Sequence, residues 1–147
     1  MLPVISFGGV IMVSAFLLLV AMIWCHLDND FRKQGILASM KQKSWWEQQD
    51  GYNDTYEFDY IAALWAHAIW WGIELHIPVI TYIWYKGQLT PAHIGLLVLV
   101  MVVQITTHKS IDDAKANLKL INLVIDQSLH VLQIAVSFVC ALIIVSL

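Results

Sequence analysis

The sequence predicts an all-α integral membrane protein, a single domain over residues 1–147 with four transmembrane helices and both termini on the outer side. Three observations predict it. Of 147 residues, 59% are hydrophobic and only 13% charged, whereas a soluble domain carries roughly 25% charged residues. Mean hydropathy is +0.68, and apolar stretches long enough to cross roughly 30 Å of hydrocarbon recur along the chain. The basic residues are also one-sided. Arg32, Lys33, Lys41 and Lys43 fall in the first loop and Lys109, Lys115 and Lys119 in the third, against Lys86 alone in the second. By the positive-inside rule the first and third loops face the cytoplasm.

The first span is expected over residues 3–25, a stretch without a charged side chain or a histidine. It lacks a basic start and a small-residue cleavage pattern, so it reads as a retained helix rather than a signal peptide. Residues 27–59 form a cytoplasmic loop. Its first part mixes basic residues with Ile36, Leu37, Met40, Trp45 and Trp46, which suits the headgroup layer. The turn signal Asp50-Gly51 follows, within the acidic run Glu47, Asp50, Asp54, Glu57 and Asp59, read as a solvated loop.

The second span is expected over residues 60–85. His67 and Glu74 are seven apart and share a face, while His76 falls nearly opposite His67 and reads as structural. Pro78 is placed to kink this helix. The third span covers residues 89–110 after the tight Lys86-Gly87-Gln88 connection. Ile111, Ala114, Leu118 and Ile121 continue its helical stripe past the membrane surface. The fourth span covers residues 121–147. Cys25 and Cys140 lie near or within apolar segments, which favours packing over a disulfide or a thiolate metal site.

Three pairs of histidine and aspartate recur at a spacing of four: His26 with Asp30, His108 with Asp112, and Asp126 with His130. Residues i and i+4 on a helix lie one turn apart on one face, so each pair aims an imidazole and a carboxylate in one direction. The topology gathers all three pairs, with His67, near the cytoplasmic leaflet. Carboxylates in hydrocarbon cost roughly 2.5–3.5 kcal/mol each on the lenient insertion scale, so these faces should turn toward one another.

Several of these segments resemble a family. His26-Leu-Asp-Asn-Asp30-Phe-Arg-Lys-Gln34 resembles the H-L-x-x-D-F-x-x-Q signature of a small membrane family of bacteria and their phages, catalogued as domain of unknown function 3307. His67-Ala68 is similar to its second-helix H-A element, His108-Lys-Ser-Ile-Asp112-Asp-Ala-Lys115 to its H-x-x-x-D-x-x-K element, and Ile125-Asp126-Gln127-Ser-Leu-His130 to its L-D-Q-x-x-H element. The family often has a second histidine four residues after the one matching His67. Here Trp71 stands there and is expected to fill space beside His67. The resemblance implies a four-helix protein of the bacterial cytoplasmic membrane, or of the host membrane if phage-encoded, and carries no established activity.

Imidazole and carboxylate are the ordinary ligands of zinc, manganese, iron or nickel. The expected metal ligands are His26, Asp30, His67, His108, Asp112, Asp126 and His130, for a divalent ion, with Gln34 and Gln127 orienting ligands or a bound water. Such a site would activate water against a phosphate or ester, and the leaflet offers lipid phosphates as substrate. The sequence thus reads as a metal-dependent membrane hydrolase. A non-enzymatic membrane protein is the other reading: a proton or ion conduit, or a phage-type protein that modifies or protects the host envelope. In that reading the pairs are hydrogen-bonded helix locks. A conduit needs polar groups through the whole bilayer, and here they cluster in one half. No nucleic-acid partner is indicated, because the net charge is −3 and no basic aromatic patch occurs. A homo-oligomer is left open. G-x-S-x-G, P-loop, H-E-x-x-H and Rossmann glycine patterns are all absent.

Overall fold

Helix punctuation sets the architecture. The computed structural model describes residues 7–49 and 57–147. The start of the first expected span, from Pro3, and the Asp50-Gly51 turn with Asp54 lie outside those residues. Helix α1 covers Phe7–Leu27 and passes directly into a π-helical turn, Asp28–Lys33. Gly35, at φ 47°, ends that turn in the left-handed region that glycine tolerates. Two short helices follow, α2 (Leu37–Met40) and α3 (Lys43–Trp46).

Helix α4 covers Asp59–Tyr85 and continues unbroken through Pro78. Gly87 (φ 70°) reverses the chain, and the amide of Gln88 closes back on the Ile83 carbonyl at 3.1 Å. Helix α5 covers Pro91–Ala116, with Thr90 capping and Pro91 at the first position, where its missing N–H costs nothing. It outruns the expected boundary at residue 110, following the apolar stripe. Helix α6 covers Leu123–Ser146, capped by the Asn122 side chain, which accepts from the Ile125 amide at 3.0 Å. No strand occurs among the described residues.

Helix α4 is the centre of the bundle and packs against α1, α5 and α6. It approaches α5 so closely at Gly72 that a Cβ there would lie 2.3 Å from Ile105 Cγ1. The apolar core joins Leu18 and Met22 of α1, Leu75, Val79 and Ile83 of α4, Leu97 of α5, and Ile134, Ala141 and Ile144 of α6. The outer faces are apolar too, with Phe16, Leu17, Val102, Val103, Val131 and Leu132 all exposed. A hydrophobic exterior around a polar interior is what lipid as solvent demands.

Among the described residues, three helices are long and apolar enough to cross a membrane: Val13–Lys33, Pro91–Ala116 and Leu123–Ser146. These mark the chain as a membrane protein. Helix α4 is 27 residues long but falls outside that group. His67, Glu74, His76 and its many Trp and Tyr residues lower its hydropathy. Both cysteines are half-buried and free, as packing residues would be.

Candidate metal centre

Each His/Asp pair lies at the same end of the bundle. His26 closes α1, and Asp30 sits in the π turn beyond it. His108 and Asp112 lie on the last third of α5, Asp126 and His130 on the first two turns of α6, and His67 on the third turn of α4. The side chains of all seven are between 0% and 7% exposed. Sequence positions spread from 26 to 130 therefore form one buried polar layer.

The ligand-type atoms approach one another closely. His67 Nε2 faces His108 Nε2 at 3.2 Å, Asp112 Oδ2 at 3.4 Å and Asp30 Oδ1 at 3.6 Å. His26 Nδ1 lies 3.5 Å from Asp30 Oδ2. His130 Nδ1 lies 3.9 Å from Asp30 Oδ2, and its Nε2 lies 3.6 Å from Asp112 Oδ1 and 3.9 Å from Asp126 Oδ1. Ligands on a tetrahedral ion at 2.0–2.1 Å stand about 3.3 Å apart. The spacing of 3.2 to 3.9 Å is therefore close to that of donors around a shared cation, and only its short end, between His67 and His108, falls within hydrogen-bond range. Among the described residues, three sets of donor atoms lie within 4.8 Å of one another: His26, Asp30 and His130; Asp30, His67 and His108; and His108, Asp112 and His130.

Unpartnered atoms point the same way. Both ring nitrogens of His130, Nδ1 of His108 and Oδ1 of Asp126 are buried without a hydrogen bond among the described residues. Leaving one such group unsatisfied costs about 1–3 kcal/mol. A helix lock would join imidazole to carboxylate by hydrogen bonds. Here the two sit side by side instead, at 3.5 Å or more within each i,i+4 pair.

Asp126 belongs to the rim rather than the centre. Its Oδ2 accepts from Lys115 Nζ at 2.7 Å and from Gln127 Nε2 at 3.0 Å. Gln34 takes the orienting position expected of it, with Nε2 3.2 Å from Asp30 Oδ1 and 3.4 Å from His67 Nε2.

Trp71 does more than fill space beside His67. Its Nε1–H donates to His26 Nδ1 at 3.2 Å, and its ring stacks on His108 with centroids 4.1 Å apart. Glu74, two turns along α4 from His67, is engaged outside the cluster. It accepts from Asn29 Nδ2 at 3.1 Å and from Lys33 Nζ at 2.5 Å. His76 is structural as expected, its Nδ1–H donating to the Gly72 carbonyl at 2.8 Å.

Lys41 is the residue that sequence reasoning missed. Expected in the headgroup layer, it is buried, and its ammonium lies 2.6 Å from Asp112 Oδ2. Asn117 pins the same segment: it accepts from the Lys43 amide at 2.8 Å and donates to the Lys41 carbonyl at 3.0 Å. Lys41 lies between α2 and α3, and from that connection it reaches into the site. Only the general excess of loop lysines could have hinted at this.

No family model matches the chain, and neither a curated protein nor a solved structure matches it.

Proposed function

We propose that the protein is a four-span protein of the bacterial cytoplasmic membrane, with both termini outside, that binds two divalent cations at its cytoplasmic end and hydrolyses a phosphate ester of a membrane lipid. One observation carries this reading: four imidazoles and two carboxylates from α1, the π turn, α4, α5 and α6 converge, buried, at 3.2 to 3.9 Å. The two oxygens of Asp30 diverge. Oδ2 faces His26 and His130, and Oδ1 faces His67. That is the disposition of a carboxylate bridging two ions about 3.5–4 Å apart. His26 and His130 would hold one ion, and His67, His108 and Asp112 the other.

Cations placed so lower the pKa of water and neutralise phosphate oxygens. In the reaction the water oxygen forms a bond to phosphorus, the bond from phosphorus to the lipid-side oxygen breaks, and that oxygen takes up the proton the water loses. Gln34 orients Asp30 and His67. The motif resemblance to the uncharacterised bacterial and phage family is consistent with this reading and adds no activity to it.

A second reading has a specific observation in its favour. Lys41 and Lys115 already neutralise Asp112 and Asp126. In a non-enzymatic membrane protein these pairs would lock the bundle. That reading leaves the ring nitrogens of His130 without partners. Metal analysis of the detergent-purified protein separates the two. Two ions per chain of zinc, manganese, iron or nickel, lost in His130→Ala, are expected, together with phosphate release from a lipid phosphate monoester. Absence of metal from the folded protein after incubation with all four ions would remove the cation site. Bound metal without turnover of a lipid phosphate would remove the hydrolase.

A further inference from the structure

The π turn faces two ways, and only one side belongs to the metal centre. Asp30 and the following Gln34 turn toward His67. Asp28, Asn29 and Lys33 turn toward Glu74 of α4. On that second side a groove of about 990 Å³ runs between α1 and α4. Its walls are Leu17, Ala21 and Trp24 from α1 and Ile77 and Tyr82 from α4, and its polar end is Asp28, Lys33 and Glu74. From Val13 to Asp28 the α1 wall rises about 22 Å, more than the roughly 15 Å of one leaflet's hydrocarbon.

The polar end has spare hydrogen-bonding capacity of both signs. Lys33 Nζ has three N–H donors and spends them on Asp28 Oδ2 at 2.8 Å and Glu74 Oε1 at 2.5 Å, so one is left. Arg32, whose NH1 lies 2.8 Å from Asp28 Oδ1, keeps most of its five donors and is 71% exposed. A phosphate diester fits these two cations. The carboxylates of Asp28 and Glu74 each retain lone pairs, and an ammonium with free N–H groups fits them. A headgroup carrying both groups complements the whole cluster. Quaternary choline has no N–H to offer, and glycerol has no positive charge.

We infer that this groove binds one phospholipid of the phosphoethanolamine class. Its hydrocarbon chain lies between α1 and α4, its phosphate meets Lys33 and Arg32, and its ammonium meets Glu74 and Asp28. The site is independent of the cations proposed at the other face of the π turn. Lipid is the fitting occupant because the groove opens along a membrane-spanning helix, where hydrocarbon is the solvent, and because its charged end lies where a headgroup lies.

The test uses the full chain, delipidated by detergent exchange and offered mixed micelles with equal amounts of phosphatidylethanolamine, phosphatidylcholine and phosphatidylglycerol. Native mass spectrometry reads the retained lipid. One phosphatidylethanolamine per chain is expected, favoured about tenfold over either competitor, the equilibrium effect of one hydrogen bond to a charged group. Lys33→Gln should lower its retention by a similar factor. Leu17→Trp, at a position 58% exposed in the groove wall, should obstruct the groove and abolish retention while leaving the thermal melt in place. Equal retention of all three lipids, or preference for phosphatidylglycerol, overturns the headgroup assignment. Retention undiminished in both variants overturns the site. A dimer that Leu17→Trp dissolves would mean a second copy of the chain fills the groove, which also overturns it.

Discussion

Trp71 and His108 lie face to face, their rings 4.1 Å apart and tilted by only 12°, while the indole N–H of the same tryptophan is given to His26. One side chain thus fixes two imidazoles from two other helices. The N–H occupies the lone pair of His26 Nδ1, which is also the nitrogen nearest Asp30. Trp71→Phe keeps an aromatic face for His108 and frees that lone pair. The expected outcome is full metal content with affinity unchanged or raised, read by titration with a competing chelator. Loss of metal from a variant that still melts like the parent would show that the indole supports the site rather than competing in it.

The two ends of the carboxylate series should respond unequally. Asp30 presents an oxygen to each half of the cluster, whereas Asp126 touches His130 alone, at 3.9 Å, and is held by Lys115 and Gln127. Asp126→Asn keeps shape and removes one charge, and should weaken metal binding by about 10- to 100-fold, the range for a residue acting through a ligand. Asp30→Asn should cost more than that and remove the second ion. Equal effects in a metal titration would contradict the bridging role given to Asp30.

Lys41 offers a sign test. Its ammonium sits on Asp112 Oδ2, where a cation would bind, and both groups are buried. Breaking a buried ion pair from one side destabilises by about 3–5 kcal/mol, because the remaining charge is uncompensated. Lys41→Gln should therefore lower the melting temperature of the chelator-treated protein. Added metal should restore it, since a ligand that binds only the folded state raises its stability. Metal affinity should rise, not fall. Weaker metal binding in Lys41→Gln would instead make the lysine part of the binding site.

Much of this arrangement was legible in the sequence, and the missing part has a common cause. The pairs His26/Asp30, His108/Asp112 and Asp126/His130 were visible because helical spacing is local. Their convergence followed from the rule that carboxylates avoid lipid. The reach of α5 to Ala116 was legible in the stripe through Ile111 and Ala114, but Leu118 and Ile121, expected on the same helical stripe, lie beyond the end of the helix, and Leu118 is exposed. Lys41 meets Asp112 across 71 residues, and Trp71 meets His26 across 45. Neither contact leaves a periodic trace. The partners of Glu74 were hidden for a related reason. Seven residues return to one face of α4, but α1 and α5 flank that face on two sides, and Glu74 turns to the Asn29 and Lys33 side. The π turn that splits Asn29 from Asp30 has no sequence signature in its composition.

Close packing of α4 on α5 gives a prediction away from the polar layer. Gly72→Ala places a Cβ 2.3 Å from Ile105 Cγ1, so one helix must shift. Overpacking of this kind costs about 1–3 kcal/mol. The double change Gly72→Ala with Ile105→Ala removes the clashing atom and should be less destabilised than the sum of the single changes, by the coupling expected of residues in contact. Unfolding in graded detergent mixtures measures it. Additive losses would mean that the helices separate freely at this point.

Topology is the last expectation, and it turns on α4. Its hydropathy is lowered by His67, Glu74 and His76, all of which are buried within the bundle rather than on its apolar outer face. Its 27 residues extend about 40 Å, more than the roughly 30 Å needed. The short connection through Gly87 turns the chain straight back into α5, which is apolar enough to cross. The two helices touch at Gly72 and Ile105, far from that connection. An antiparallel partner packed along a spanning helix from the same turn is expected to cross with it. Single cysteines placed at Lys43 and Lys86 should then be labelled by a membrane-impermeant reagent from opposite sides, with position 86 reached from outside the cell. Labelling of both from one side would leave α4 on the surface, and would also separate His67 from the spanning helices that carry His108 and His130.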